Sequence, residues 1–88
     1  MALLCVRGPL KTLAGGEGRH ELGDGTIGEL IQRLEDGYPE LRGWILDERG
    51  RIRRHINVYV NGEPGEGQTP VGEGDRVDVL PAISGGQK

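Results

Sequence analysis

The clearest element of this chain is a stretch that repeats its apolar residues at helical spacing on a single face. Thr26 stands as N-cap with Glu29 three positions later, the pattern in which each residue's side chain caps the other's backbone N–H. Ile27, Leu30, Ile31 and Leu34 then form one apolar stripe. Gly37 follows the last periodic position and Pro39 closes the exit, so the helix is expected to stop near Asp36. A helix with one wet face must lay the other on something apolar. In 88 residues there is room for one small domain to supply that surface.

The surface is read from alternating segments. Ile52, Ile56, Val58 and Val60 share one parity and Arg53, His55, Asn57 and Tyr59 the other, with Arg54 alone breaking the inward set. This strand ends at the turn dipeptide Asn61-Gly62. Residues 1–7 form a first strand stopped by Gly8-Pro9, and residues 19–22 a short returning one, giving a hairpin with a long connection. Residues 65–74 are turn-rich. Residues 76–80 alternate again with Val77 and Val79 inward, and Pro81, lacking an N–H, ends the ladder. Residues 38–50, with Leu41, Trp44, Ile45 and Leu46, are expected as a loop or short turn on the sheet edge. The expected fold is α+β, a mixed sheet crossed by one helix, over residues 1–81.

Composition excludes several classes. Gly and Pro fill a quarter of the chain, but Leu, Ile and Val fill another quarter and net charge is only −3, so a folded chain is expected. No apolar run has the length of a membrane span. The start lacks a basic leader, sufficient length and a cleavage site, so no signal peptide and a cytoplasmic location are expected. Cys5 is the only cysteine, which excludes an internal disulfide and a cysteine-rich zinc site. A pI near 5.3 and three aromatics argue against a nucleic-acid platform.

Two local patterns invite over-reading. Residues 23–28 spell G-x-G-x-x-G ahead of a helix, but a dinucleotide fold needs a βαβ crossover and a second nucleotide half that this length cannot hold. The motif is a turn feeding the helix cap. His20, His55, Ser84 and Cys5 assemble no triad or metal trio, and Cys5 inside an apolar run is expected to be buried and inert. The basic run Arg49, Arg51, Arg53, Arg54, His55 has two readings. It is either a solvated strand face, with Arg51, Arg53 and His55 on the solvent side, or a docking site for an acidic partner.

After Pro81, residues 82–88 show no periodicity and are expected to form a flexible tail reaching roughly 20 Å when extended. Gly85-Gly86 within it, with Ser84 before them, makes a slender arm able to thread a narrow channel. A glycine carboxylate has no Cβ to obstruct a phosphate or a nucleophile.

The block from Arg53 to Glu63, the strand Arg76-Val77-Asp78-Val79-Leu80-Pro81 and the Gly85-Gly86 tail together resemble the ThiS/MoaD family of ubiquitin-like sulfur carriers, in particular the branch serving cysteine biosynthesis and natural-product pathways. The resemblance covers nearly the whole chain and implies the β-grasp fold. It implies a protein co-substrate, not an enzyme: an E1-like enzyme adenylates the Gly86 carboxylate with ATP, and a sulfur donor displaces AMP to leave a thiocarboxylate. A biosynthetic enzyme accepts the sulfur. ATP belongs to the activating enzyme, so no cofactor is implied here.

Gln87 and Lys88 follow the Gly-Gly pair, so reaction at Gly86 requires their removal. Either they are trimmed from a precursor between Gly86 and Gln87, as a JAMM-type metalloprotease does in some similar carriers, or they are foreign to the natural chain. Tyr59 and Leu80 have outward parity on neighbouring strands and Ile83 leads into the tail. These three, with Arg53 and His55, are the candidate partner-docking residues. Two rivals remain: a ubiquitin-like modifier joined through Gly86 to lysines, and an interaction module with an incidental Gly-Gly.

Overall fold

A computed structural model describes residues 1–81 of the chain. Strand β1 (Ala2–Val6) pairs antiparallel with β2 (Arg19–Leu22) and parallel with β7 (Arg76–Pro81). On its other side β7 pairs antiparallel with β4 (Ile56–Val60), which turns into β5 (Glu63–Pro64), giving the order β2-β1-β7-β4-β5. Between β2 and β4 the chain runs through β3 (Gly25–Thr26), helix α2 (Ile27–Gly37) and a 3₁₀ turn (Pro39–Leu41). Strand β6 (Pro70–Val71) returns to pair with β3. The mixed sheet crossed by a helix is the expected architecture.

Helix α2 is held as its sequence predicts. Thr26 Oγ1 accepts from the Glu29 N–H at 3.2 Å and Glu29 Oε1 accepts from the Thr26 N–H at 2.9 Å. Ile27, Leu30, Ile31 and Leu34 are buried against Ala2, Leu4, Val6, Val58, Val77 and Val79 from one sheet face. Burying a side chain of this kind stabilises by about 1.5–3 kcal/mol. The Asn61-Gly62 turn also forms, with φ of 52° and 88°, the left-handed pair that a two-residue hairpin between twisted strands requires.

Four expectations need correction. The strand expected from Ile52 begins at Ile56. Its neighbour β7 ends at Pro81, which stands opposite Ile56, so residues 52–55 have no described ladder partner there. Ile52 instead bridges to Leu46, the Arg53 N–H bonds to the Ile45 carbonyl at 2.8 Å, and the chain turns with the Ile56 N–H on the Arg53 carbonyl at 3.0 Å. Arg54, which broke the parity, lies in that turn, and Arg51, Arg53 and His55 share no strand face.

The connection between β1 and β2 holds a short helix, α1 (Pro9–Leu13), whose Leu10 is buried. Pro9 sits at its first turn, where proline's fixed φ suits a helix. Residues 65–74 are turn-rich as expected, with only the two-residue β6 among the turns. Finally, within residues 38–50 the 3₁₀ turn packs on α1 and α2 rather than the sheet edge. Leu41, Ile45 and Leu46 are buried there, whereas Trp44 is 46% exposed.

Candidate functional site

Residues 82–88 follow Pro81 in the sequence, and the structure defines what surrounds Pro81. Pro81 stands opposite Ile56 on one side. On the other is the bend after β1, where an added Cβ at Gly8 would lie 3.8 Å from Pro81 Cγ. The candidate residues Ile83, Ser84, Gly85, Gly86 and Gln87 lie outside the described residues.

Tyr59 and Leu80 fall on the sheet face away from α2, as parity predicts, and both are half-buried. Tyr59 stands opposite Asp78, and Leu80 opposite Asn57, so the two candidates are diagonal neighbours on paired strands. Asp78 on the same face receives Arg76 at 3.2 Å and Arg7 at 3.9 Å, two guanidinium groups on one carboxylate. Cys5 shares this face. It is buried, as expected, but outside the main core and beneath a cleft of about 400 Å³ lined by Arg7, Lys11, Arg19 and Arg76.

Arg53 and His55 are not part of that face. His55 is exposed in the turn before β4, next to Ile56 opposite Pro81, while Arg53 is half-buried and its Nε has no acceptor among the described residues. The structure thus brings Tyr59 and Leu80 together and separates them from the basic run.

One polar group escaped the sequence reading. Glu35 on α2 is only 5% exposed and accepts a long 3.4 Å hydrogen bond from the Leu46 N–H, tying the helix to the segment that follows it. Burial pushes its carboxyl above the usual glutamate range, against the pull of that bond and of Arg42 and Arg53. Its spacing of four from Ile31 put it on the flank of the apolar stripe, which was the available signal. His20 is structural: Nε2 bonds to the Glu17 carbonyl at 2.8 Å and the ring meets Tyr38 edge-on. Among the described residues no cluster of His, Cys, Asp and Glu could hold a metal ion, and no helix is long and apolar enough to cross a membrane.

Comparison with known proteins agrees with the fold. The sequence pattern of the ThiS family matches residues 6–86. The sulfur carrier protein CysO of Mycobacterium tuberculosis is 32% identical over 83 residues, covering 88% of this chain and 89% of the relative. Small archaeal modifier protein 1 of Haloferax volcanii is 33% identical over 64 residues, covering 73% and 74%. Among solved structures, a chain of the BexX/CysO complex from Amycolatopsis orientalis superposes with a TM-score of 0.86 at 31% identity, covering 98% of this chain and all of its own.

Proposed function

This chain belongs to the ThiS family, and from that membership we propose that it is a protein co-substrate for sulfur transfer, a folded domain of residues 1–81 presenting its tail to other enzymes. Its relatives are named sulfur carriers and small modifiers, proteins that are carried through reactions rather than catalysts of them. The observation that carries the reading is that the family match runs to Gly86 and stops there, at the second glycine of the Gly-Gly pair.

The chemistry follows from the carboxylate. After removal of Gln87 and Lys88, an oxygen of the Gly86 carboxylate attacks the α-phosphorus of ATP in an E1-like enzyme, and pyrophosphate leaves. The acyl-adenylate has AMP as a good leaving group, where the free carboxylate had none. A sulfur donor displaces AMP, and the resulting thiocarboxylate passes its sulfur to an acceptor in a biosynthetic enzyme. Gly85 and Ser84 contribute small cross-section to the threading arm. Tyr59, Leu80 and Ile83 are proposed to touch the activating enzyme.

Likeness to the small archaeal modifiers favours a second reading, in which the same activated Gly86 is joined to lysines of target proteins. Intact mass spectrometry of the untagged protein from its own host separates the possibilities. The carrier reading expects loss of Gln87-Lys88, with one oxygen exchanged for sulfur in part of the sample. Lysine-linked adducts indicate the modifier. A full-length mass unchanged after incubation with host extract, ATP and a sulfur donor refutes both.

A further inference from the structure

Four arginines, Arg49, Arg51, Arg53 and Arg54, stand within six residues of a chain whose net charge is −3. Among the described residues none of them pairs with a carboxylate, whereas Arg7, Arg42 and Arg76 all do. The segment is nonetheless built. Asp47 Oδ1 accepts from the backbone N–H groups of Arg49 at 2.8 Å and Arg51 at 2.9 Å, and the Asp47 N–H bonds to the Arg51 carbonyl at 2.8 Å. Those bonds hold the Asp47 carboxyl below the usual aspartate range. The loop is shaped before any partner arrives.

These arginines rim a groove. One part, of about 640 Å³, lies between Arg49 and Arg51 on one wall and the start of α2 with residues 66–68 on the other. It continues into a hollow of about 380 Å³ lined by Ile52, Ile56 and Val58 with Arg53 and Arg54. Arg51, Ile52, Glu66 and Gly67 line both parts, so the two adjoin. Ile56 of the second part stands opposite Pro81, the residue that the tail follows in the sequence.

We infer that this groove receives an acidic segment with an apolar anchor, belonging to the protein that takes up the tail. The inference rests on the sulfur-carrier reading. A protein segment fits better than a phosphate chain. Half-buried Ile52, which lines both parts, offers an apolar contact, Glu29 and Glu66 on the facing wall repel a uniform polyanion, and no aromatic side chain lines the groove for base stacking. Nor does α2 offer free N–H groups to a phosphate. Those of Ile27, Gly28 and Glu29 are held by the Thr69 carbonyl, the Gly67 carbonyl and Thr26 Oγ1.

The test is ATP–pyrophosphate exchange by the host's adenylating enzyme, using protein ending at Gly86, at low and high salt. Replacing Arg49, Arg51 and Arg54 by Gln should raise KM about tenfold at low salt with kcat unchanged, because rim charges act mainly on encounter. Wild-type KM should climb with salt while the variant's stays flat. Arg42→Gln, outside the groove, should change neither. The single Arg51→Gln, expected to raise KM about threefold, gives the same reading if the triple variant melts early. Wild-type exchange matched by the variants in KM and salt dependence overturns the groove and leaves the carrier standing. Micromolar binding to duplex DNA or to phosphatidylserine vesicles, lost in the triple variant, also overturns it. Absence of exchange with wild type overturns the carrier reading and the inference together.

Discussion

Thr26→Ala isolates one hydrogen bond in the helix cap. It removes Thr26 Oγ1, the acceptor 3.2 Å from the Glu29 N–H, while the reverse bond from the Thr26 N–H to Glu29 Oε1 needs only backbone and Glu29. The next two donors of the helix start, Ile27 and Gly28, are held by other carbonyls at 3.0 and 2.9 Å and stay satisfied. One N–H therefore loses its partner at an exposed site where water replaces it, which sets the loss near the middle of the usual range, about 1 kcal/mol. With an unfolding entropy of roughly 2.1 cal/mol/K per residue over the 88-residue chain, that loss lowers Tm by about 5 °C. Thermal and urea unfolding followed by far-UV circular dichroism measures it. Combined with Glu29→Ala, the loss should fall short of the two single losses added, since each half of the cap positions the other. Thr26 also pairs with Pro70 in the β3–β6 ladder, so Thr26→Ser is the control that keeps the hydroxyl. A serine variant as unstable as the alanine one would refute the cap as the cause.

Glu35→Gln should stabilise the fold at neutral pH. Burial raises the folded-state pKa, so the stability linked to this group is fully present below the unfolded value and is lost as pH rises through the folded one. The advantage of the Gln variant in urea midpoint should therefore shrink as the pH is lowered towards the ordinary glutamate value, and an advantage independent of pH would refute the account. Gly65→Ala places a Cβ 2.7 Å from Cδ1 of the fully buried Ile27 and 3.3 Å from Val60 Cγ2. Overpacking of this kind should outweigh the entropic gain of alanine and destabilise by about 1 kcal/mol. Gly37→Ala, with nothing within 4 Å at the end of α2, should change stability with the opposite sign, by about 0.5–1 kcal/mol. Equal signs in denaturant titration would refute the packing argument.

What was legible in the sequence was local. The Thr26–Glu29 cap and the Asn61-Gly62 turn depend on residues three apart or adjacent, and both form as read. The outward face of Tyr59 and Leu80 follows from period-two alternation within real strands. Alternation cannot report where a neighbouring strand ends, and the strand from Ile52 was overextended for that reason: the end of β7 at Pro81, a residue distant in sequence, sets its start. That error misplaced Arg53 and His55. Pro9 was read as a strand stop when it also opens a helix, and Glu35 was passed over because burial of a carboxylate depends on the segment that later covers it. At the functional end, Gly85-Gly86 was visible as a motif, whereas the groove was not. Its walls come from three separate segments.

The position of β7 has a mechanical consequence. It is the central strand, paired through residues 76–79 with β1 on one side and through residues 77–81 with β4 on the other, and residues 82–88 follow it in the sequence. A pull on the tail acts along that strand, so both ladders are loaded in shear and their bonds must yield together. An edge strand such as β2 would instead peel open one bond at a time. In the proposed carrier role, an enzyme that pulled on residues 82–86 would therefore load both ladders at once instead of peeling the domain open.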